Sequence, residues 1–220
     1  GAMDVLYTDK TGTLTQDKVL LERHIDIDGA ESEHVLQLAY LNSYYQSGLK
    51  NLLDVAVLEH VETHKDLHET HRYAKIDEIP FDFQRRRMSV IVSQDEGVHL
   101  LICKGAVEEV FGVCRWVERD GVRSVIEAGD YDELQRVTRE FNDDGFRVIA
   151  VAYKEVPAQV ASYGVADEAD LILTGYIAFL DPPKDSARAA LAALAQVGVR
   201  VKVLTGDNDA VTRKICRDVG

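Results

Sequence analysis

The chain begins and ends on the same kind of element. Val5-Leu6-Tyr7-Thr8 is a short apolar run of strand type leading straight into Asp9-Lys10-Thr11-Gly12-Thr13, and residues 199–204 form another that leads into Thr205-Gly206-Asp207. A buried parallel strand carries its C-terminal residue to the rim of a sheet, where α/β proteins place their chemistry. Towards the end, a strand at 171–179, an alanine-rich helix at 185–196, the strand at 199–204 and a helix at 210–219 form a strand–helix–strand–helix series. Such a series predicts a parallel sheet with crossovers. The middle of the chain reads differently, as alternating hairpins and helices.

The pattern therefore predicts an α/β fold in which a small Rossmann-like parallel sheet, built from both chain ends, is interrupted by a larger α+β insertion. The boundaries fall at 4–20 and 172–220 for the outer unit and 21–171 for the insertion, an antiparallel sheet flanked by helices. Within the insertion, helical periodicity covers 34–48 and 52 to about 61. Strand signals cover 76–92 (broken by Pro80), 99–103 and 147–152. A helix is expected over 106–114, a weak hairpin after Gly121, and a helix near 132–143 ended by Gly145. Residues 155–170 read as a polar connector. Gly1-Ala2-Met3 lies outside the apolar pattern and reads as a remnant of tag cleavage.

Composition narrows the class. At roughly 150 residues per domain, 220 residues make one large domain or two modest ones. With 46% apolar and 29% charged residues the chain can bury a full core. Twenty-five basic against 38 acidic side chains give a net charge of −13, which opposes a nucleic-acid partner. No stretch approaches the roughly 18 apolar residues of a membrane span, so a soluble piece is expected. Cys103, Cys114 and Cys216 form no CxxC pair and suit reduced thiols in a cytosolic compartment.

Asp9 is the first candidate for chemistry. It is followed by a lysine, two threonine hydroxyls and Gly12, whose conformational freedom lets loop amides face an oxyanion. A carboxylate in such a loop suits attack on phosphorus. An Asx-type turn at a strand end accounts for the position equally well.

The stretch Asp9-Lys10-Thr11-Gly12-Thr13-Leu14-Thr15 resembles the phosphorylation motif of P-type ATPases. Asp181-Pro182-Pro183-Lys184 and Thr205-Gly206-Asp207 resemble further motifs of that family's phosphorylation domain, in the same chain order, and Lys104-Gly105-Ala106 resembles its nucleotide-domain motif. The resemblance implies a partial haloacid-dehalogenase-like phosphorylation domain with an inserted nucleotide-binding domain. It implies that Asp9 takes the γ-phosphate of ATP and, with Thr11, contacts Mg²⁺. Lys10 would lie near the phosphoryl group, Thr205 would donate to its oxygens, Asp207 would face the ribose or metal, and Asp181 would position the hinge side.

For the nucleotide, the resemblance implies that Phe81 stacks on adenine and that Arg86, five residues later, lines the same pocket. Lys104 would sit deep in it with Gly105 beside it, and Arg147 would reach the phosphates. Asp54 stands where relatives more often carry Glu near the adenine amino group. Core packing is the alternative for Phe81 and Phe83, and a solvated face for Arg85, Arg86 and Arg87. His60, His64, His68 and His71 share one stripe if helical, but their charged neighbours mark a solvated surface rather than a metal site.

The runs 51–58 and 79–90 look most like bacterial magnesium-transporting members, with calcium- or proton-type pumps as the alternative. The resemblance thus implies a cytoplasmic part of an inner-membrane protein. Its partners would be ATP, the remaining phosphorylation, actuator and transmembrane domains, and a transported divalent cation. The family's Gly-Asp-Gly and Thr-Gly-Glu motifs do not occur in these residues, so the expectation is a piece that binds ATP without efficient turnover. A haloacid-dehalogenase-type phosphatase would share the strand-tip aspartate but carry an Asp where Thr11 stands. A nucleotide-binding module without catalysis is the third reading.

Overall fold

The computed structural model describes residues 3–64, 72–95, 97–158, 162–206 and 208–220. Asp207, His68 and His71 lie outside the described residues. In chain order the elements are β1 (Val5–Asp9), β2 (Leu20–Asp26), α1 (Glu33–Tyr45), α2 (Leu52–His64), β3 (Ala74–Ile79), β4 (Arg87–Asp95), β5 (Val98–Gly105), α3 (Val107–Phe111), β6 (Cys114–Arg119), β7 (Val122–Val125), α4 (Ala128–Asp143), β8 (Arg147–Pro157), β9 (Leu171–Leu180), α5 (Asp185–Gln196), β10 (Arg200–Leu204) and α6 (Asp209–Val219).

The two ends of the chain meet as the sequence predicts. β1 and β10 pair in parallel, from Val5 opposite Arg200 to Asp9 opposite Leu204, so both strands finish at one rim. Leu14, Ala187 and Val219 form the small core beneath them, joined by Leu191 and Val203.

The larger sheet runs in the order β3-β4-β5-β8-β9-β6-β7, with β2 also paired to β9. Alternation along its strands divides two cores. Val90, Val92, Ile102 and Val151 pack towards α1 and α2, whereas Ile91, Leu101, Cys103 and Ala152 pack towards α3 and α4. Ser32 caps α1 by accepting from the Val35 amide at 3.4 Å. Asn42 then fixes that helix to the sheet by donating to the Ile102 carbonyl at 2.8 Å. The β6–β7 hairpin turns through Asp120 and Gly121, both with positive φ, as a two-residue hairpin turn requires.

Three expectations need correction. Residues 171–180 form a strand, but β9 lies inside the larger sheet, antiparallel to β8 and β2 and parallel to β6, rather than in the sheet of the chain ends. Residues 171–179 are all buried, and a continuous apolar run suits a central strand of either sheet type. Consequently the outer unit resumes only after Leu180. The second correction is at the other boundary: the outer unit, expected over 4–20, gives way at Leu20 to β2, a charged run without clean alternation that pairs with β9. Third, the helix expected over 106–114 ends at Phe111, and Cys114 already starts β6.

The two units touch at Gly145. A Cβ there would lie 2.6 Å from Cγ of Lys214 on α6, and its φ of +93° is one that L side chains rarely adopt.

Candidate functional site

Parallel pairing of β1 with β10 brings Asp9 and Leu204 level, and the chain beyond each turns across the same rim. Asp9 is exposed there, with Oδ1 accepting the Lys10 amide at 2.7 Å. Behind it the loop is tightly wound. The Lys10 carbonyl accepts the amides of Leu14 at 3.0 Å and Thr15 at 3.2 Å, and Lys184 Nζ donates to the Gly12 carbonyl. Gly12 has φ +74°, and a Cβ on it would strike Oδ1 of Asp17 at 2.3 Å. The exposed Asp17 side chain can move aside, but the positive φ strains any other residue at this turn.

Asp181 is the hub behind this loop. Its Oδ2 accepts both the ammonium of Lys10, which is wholly buried, and Nη2 of Arg147 at 3.0 Å. Two residues proposed from separate parts of the chain therefore converge on the carboxylate of a third. Asp181 Oδ1 is also buried and has no hydrogen-bond partner among the described residues. Thr205 follows β10 at the same rim and is half-buried.

The second cluster lies in the larger sheet. Lys104, on β5, is 5% exposed, and its ammonium contacts Oδ1 of Asp54 and the hydroxyl of Ser43. Asp54 is fully enclosed. Its Oδ1 also accepts from Ser43 Oγ at 3.0 Å, and Oδ2 accepts from Gln46 Nε2 at 2.8 Å and the Asn51 amide at 3.3 Å. Both of its oxygens are thus engaged within the protein, one of them by Lys104. Burial pushes the Lys104 ammonium below the ordinary lysine range, although Asp54 opposes that shift.

This sign gives a testable pH dependence. Asp54→Leu alone leaves a buried ammonium without its counter-charge and is expected to cost about 3 kcal/mol near neutral pH. That loss shrinks as pH climbs towards 10.5, where the lysine gives up its proton in the unfolded chain too. Asp54→Leu combined with Lys104→Met is expected to restore most of the stability at every pH. Urea unfolding across a pH series measures both, and a pH-independent loss in the single variant contradicts the assignment.

Exposed groups form the rim above this pair. Phe81 is 49% exposed and packs edge-on against Phe83, itself 91% exposed, with centroids 5.5 Å apart. Core packing is thus excluded for both rings. Arg86 is exposed, has φ +46°, and donates to Glu109 Oε1 at 3.1 Å. Its carbonyl accepts the Ala106 amide at 2.9 Å. Gly105 allows this close crossing, since a Cβ there would sit 2.4 Å from the Arg86 carbonyl oxygen. The solvated-face alternative fits Arg86 alone among the three arginines: Arg87 is buried, and Arg85 and Arg87 both bind the buried Glu168. Ser43, Gln46 and Glu168 went unrecognised in the sequence, because no motif or periodicity marks them.

His60 packs edge-on against His24, with centroids 5.7 Å apart. No group of three potential metal-binding side chains occurs among the described residues. Mg²⁺ does not demand one, because it is commonly held by one or two carboxylates together with substrate phosphates. The exposed carboxylate of Asp9 fits that donor set, and Thr11, half-buried in the same loop, adds a hydroxyl.

A strand-tip aspartate in a sheet made by both chain ends, interrupted by a larger and mainly antiparallel sheet, is the layout that the resemblance to P-type ATPases implies. Comparison with known proteins agrees: residues 46–186 match the family described as P-type ATPase, cytoplasmic domain N. The chain belongs to the P-type ATPases. It is 55% identical over its whole length to the magnesium-transporting ATPase, P-type 1, of Salmonella typhimurium, and 54% to the protein of that name from Escherichia coli K12. In each case it covers 24% of the relative. A calcium-transporting ATPase of Listeria monocytogenes is 30% identical over the whole chain, which covers 27% of that protein. The chain thus spans about a quarter of the length of the relatives it matches.

Proposed function

We propose that this chain is the ATP-binding and phosphate-accepting part of a magnesium-transporting P-type ATPase. The observation carrying the proposal is the convergence of Lys10, from the Asp9 loop, and Arg147, from the inserted sheet, on Asp181. It joins the strand-tip carboxylate to the module that would deliver the nucleotide. The ion rests on the 55% and 54% identities to magnesium-transporting relatives, against 30% to the calcium-transporting one.

In this reading adenine stacks on Phe81, Arg86 exchanges Glu109 for the nucleotide, and Lys104 defines the pocket floor beside Gly105. Arg147 and Lys10 draw negative charge towards Asp9. A carboxylate oxygen of Asp9 attacks the γ-phosphorus; the new O–P bond forms as the bond to the bridging β,γ-oxygen breaks, and ADP leaves. Thr205 donates to the transferred oxygens, and Asp207 serves the ribose or metal. Asp9 and Thr11 would hold Mg²⁺, which neutralises phosphate charge when bound. Thr11, where a phosphatase of related fold would carry an acidic proton donor, favours a lasting phosphoenzyme over its hydrolysis. No described helix is long and apolar enough to cross a membrane. Transport therefore requires transmembrane and actuator domains of a longer parent.

Calorimetric titration with ATP tests the pocket. Stacking contributes about 1–3 kcal/mol per base, so Phe81→Ala is expected to weaken ATP binding by roughly tenfold or more. Unchanged affinity would remove Phe81 from the pocket.

A further inference from the structure

The rim carrying Phe81 and Arg86 is held from a distance by a group outside every recognised motif. Glu168 lies just after the short 3-10 turn Val165–Asp167, in the segment read from sequence as a polar connector, and its side chain is fully buried. Its Oε2 accepts Nη1 of Arg85 at 2.6 Å and Nε of Arg87 at 2.9 Å; Oε1 accepts the hydroxyl of Ser89 at 2.7 Å. Two guanidinium groups on one buried carboxylate form a charge-assisted clamp rather than a surface ion pair.

Arg85 transmits that clamp to the rim. Its Nη2 donates to the Pro80 carbonyl at 2.6 Å, immediately before Phe81, and its Nε contacts Asp82. Asp82 Oδ1 in turn accepts the amides of Gln84 and Arg85, both at 2.8 Å, and the Asp82 carbonyl accepts the Arg86 amide at 2.8 Å. These bonds fix the turn in which Arg86 takes its positive φ, a conformation that persists only where the surroundings over-determine it. One guanidinium thus links the buried carboxylate to both ends of the rim.

We propose that Glu168 is a positioning residue for nucleotide binding: through Arg85 it presets the loop that displays the Phe81 ring and the Arg86 guanidinium. The proposal deepens the nucleotide-pocket reading and rests on it. Presetting matters because a loop that must be ordered on binding gives up part of its contact energy.

A double-mutant cycle on this chain, read by ATP calorimetry, tests it. Glu168→Gln keeps the shape but weakens the clamp, and is expected to raise the ATP dissociation constant by about tenfold. In a Phe81→Ala/Arg86→Ala background the same change is expected to have much less effect, because both groups it positions are gone. Equal losses in both backgrounds would make Glu168 merely structural and overturn the proposal, as would no loss in either. Should Glu168→Gln fail to fold, Arg85→Met takes its place in the same cycle, since it cuts the clamp on the loop side and leaves Arg87 and Ser89 on the carboxylate. Phe81→Ala without effect on its own would instead remove the pocket reading itself, and the proposal with it.

Discussion

Asp9→Asn, introduced into a full-length protein carrying this sequence, is expected to abolish acid-stable phosphate incorporation from ATP, a fall of at least about 10⁴-fold. The amide has neither the charge nor the nucleophilicity of the carboxylate, and among the described residues the Asp181 carboxylate lies behind the loop, engaged by Lys10 and Arg147. Substrate affinity should move the other way. In the proposed reading Asp9 is an exposed carboxylate where the polyphosphate would arrive, so neutralising it removes a repulsion and leaves ATP binding equal or tighter. Quench-and-count phosphorylation with labelled ATP, alongside a binding titration, separates the two effects. Phosphoenzyme persisting at the wild-type level would place the acceptor elsewhere.

The second large effect is structural. Asp181→Ala removes a carboxylate that engages both Lys10, which has no exposed surface, and Arg147. Breaking a buried pair by deleting one partner costs about 3–5 kcal/mol, and the enclosed Lys10–Asp181 pair puts this change in that range. Against a total stability of roughly 5–15 kcal/mol, the outer unit is expected to melt far earlier or to lose its fold. Thermal unfolding followed by circular dichroism reads this directly; a midpoint within about 2 °C of wild type would contradict the importance of the hub. Asp181→Asn, which keeps the shape but not the charge, should fall between.

What could be read from the residues themselves divides along physical lines. The loops at Asp9 and Thr205 were legible because short apolar runs ending in glycine-containing polar turns have few other uses, and pairing of β1 with β10 bears this out. Helices α1, α2 and α4 followed from periodicity. β9 was legible as a strand but not in its partnership, since burial on both faces erases the alternation that distinguishes sheet types. β2 was hidden by its charges. Asp54 was legible as a residue of interest, yet its enclosure by Ser43, Gln46, Asn51 and Lys104 depends on how α1, α2 and β5 pack. Glu168 sits in a polar stretch, and its significance exists only once Arg85 and Arg87 are brought 83 and 81 residues along the chain to meet it.

Only two backbone segments pass between the small sheet and the large one, and they cross side by side. Thr15 bridges Pro183 in antiparallel fashion, the Gln16 amide donates to the Pro182 carbonyl at 2.8 Å, and the Lys184 amide to the Leu14 carbonyl at 2.9 Å. Beyond them β2 and β9 carry on the same pairing. Laced in this way, the crossing behaves as a ribbon: it flexes readily out of its own plane but resists sliding and twisting. In the proposed reading, a swing of the aromatic rim towards Asp9 would follow the bend of that ribbon, and a nucleotide carried on the rim would travel with it.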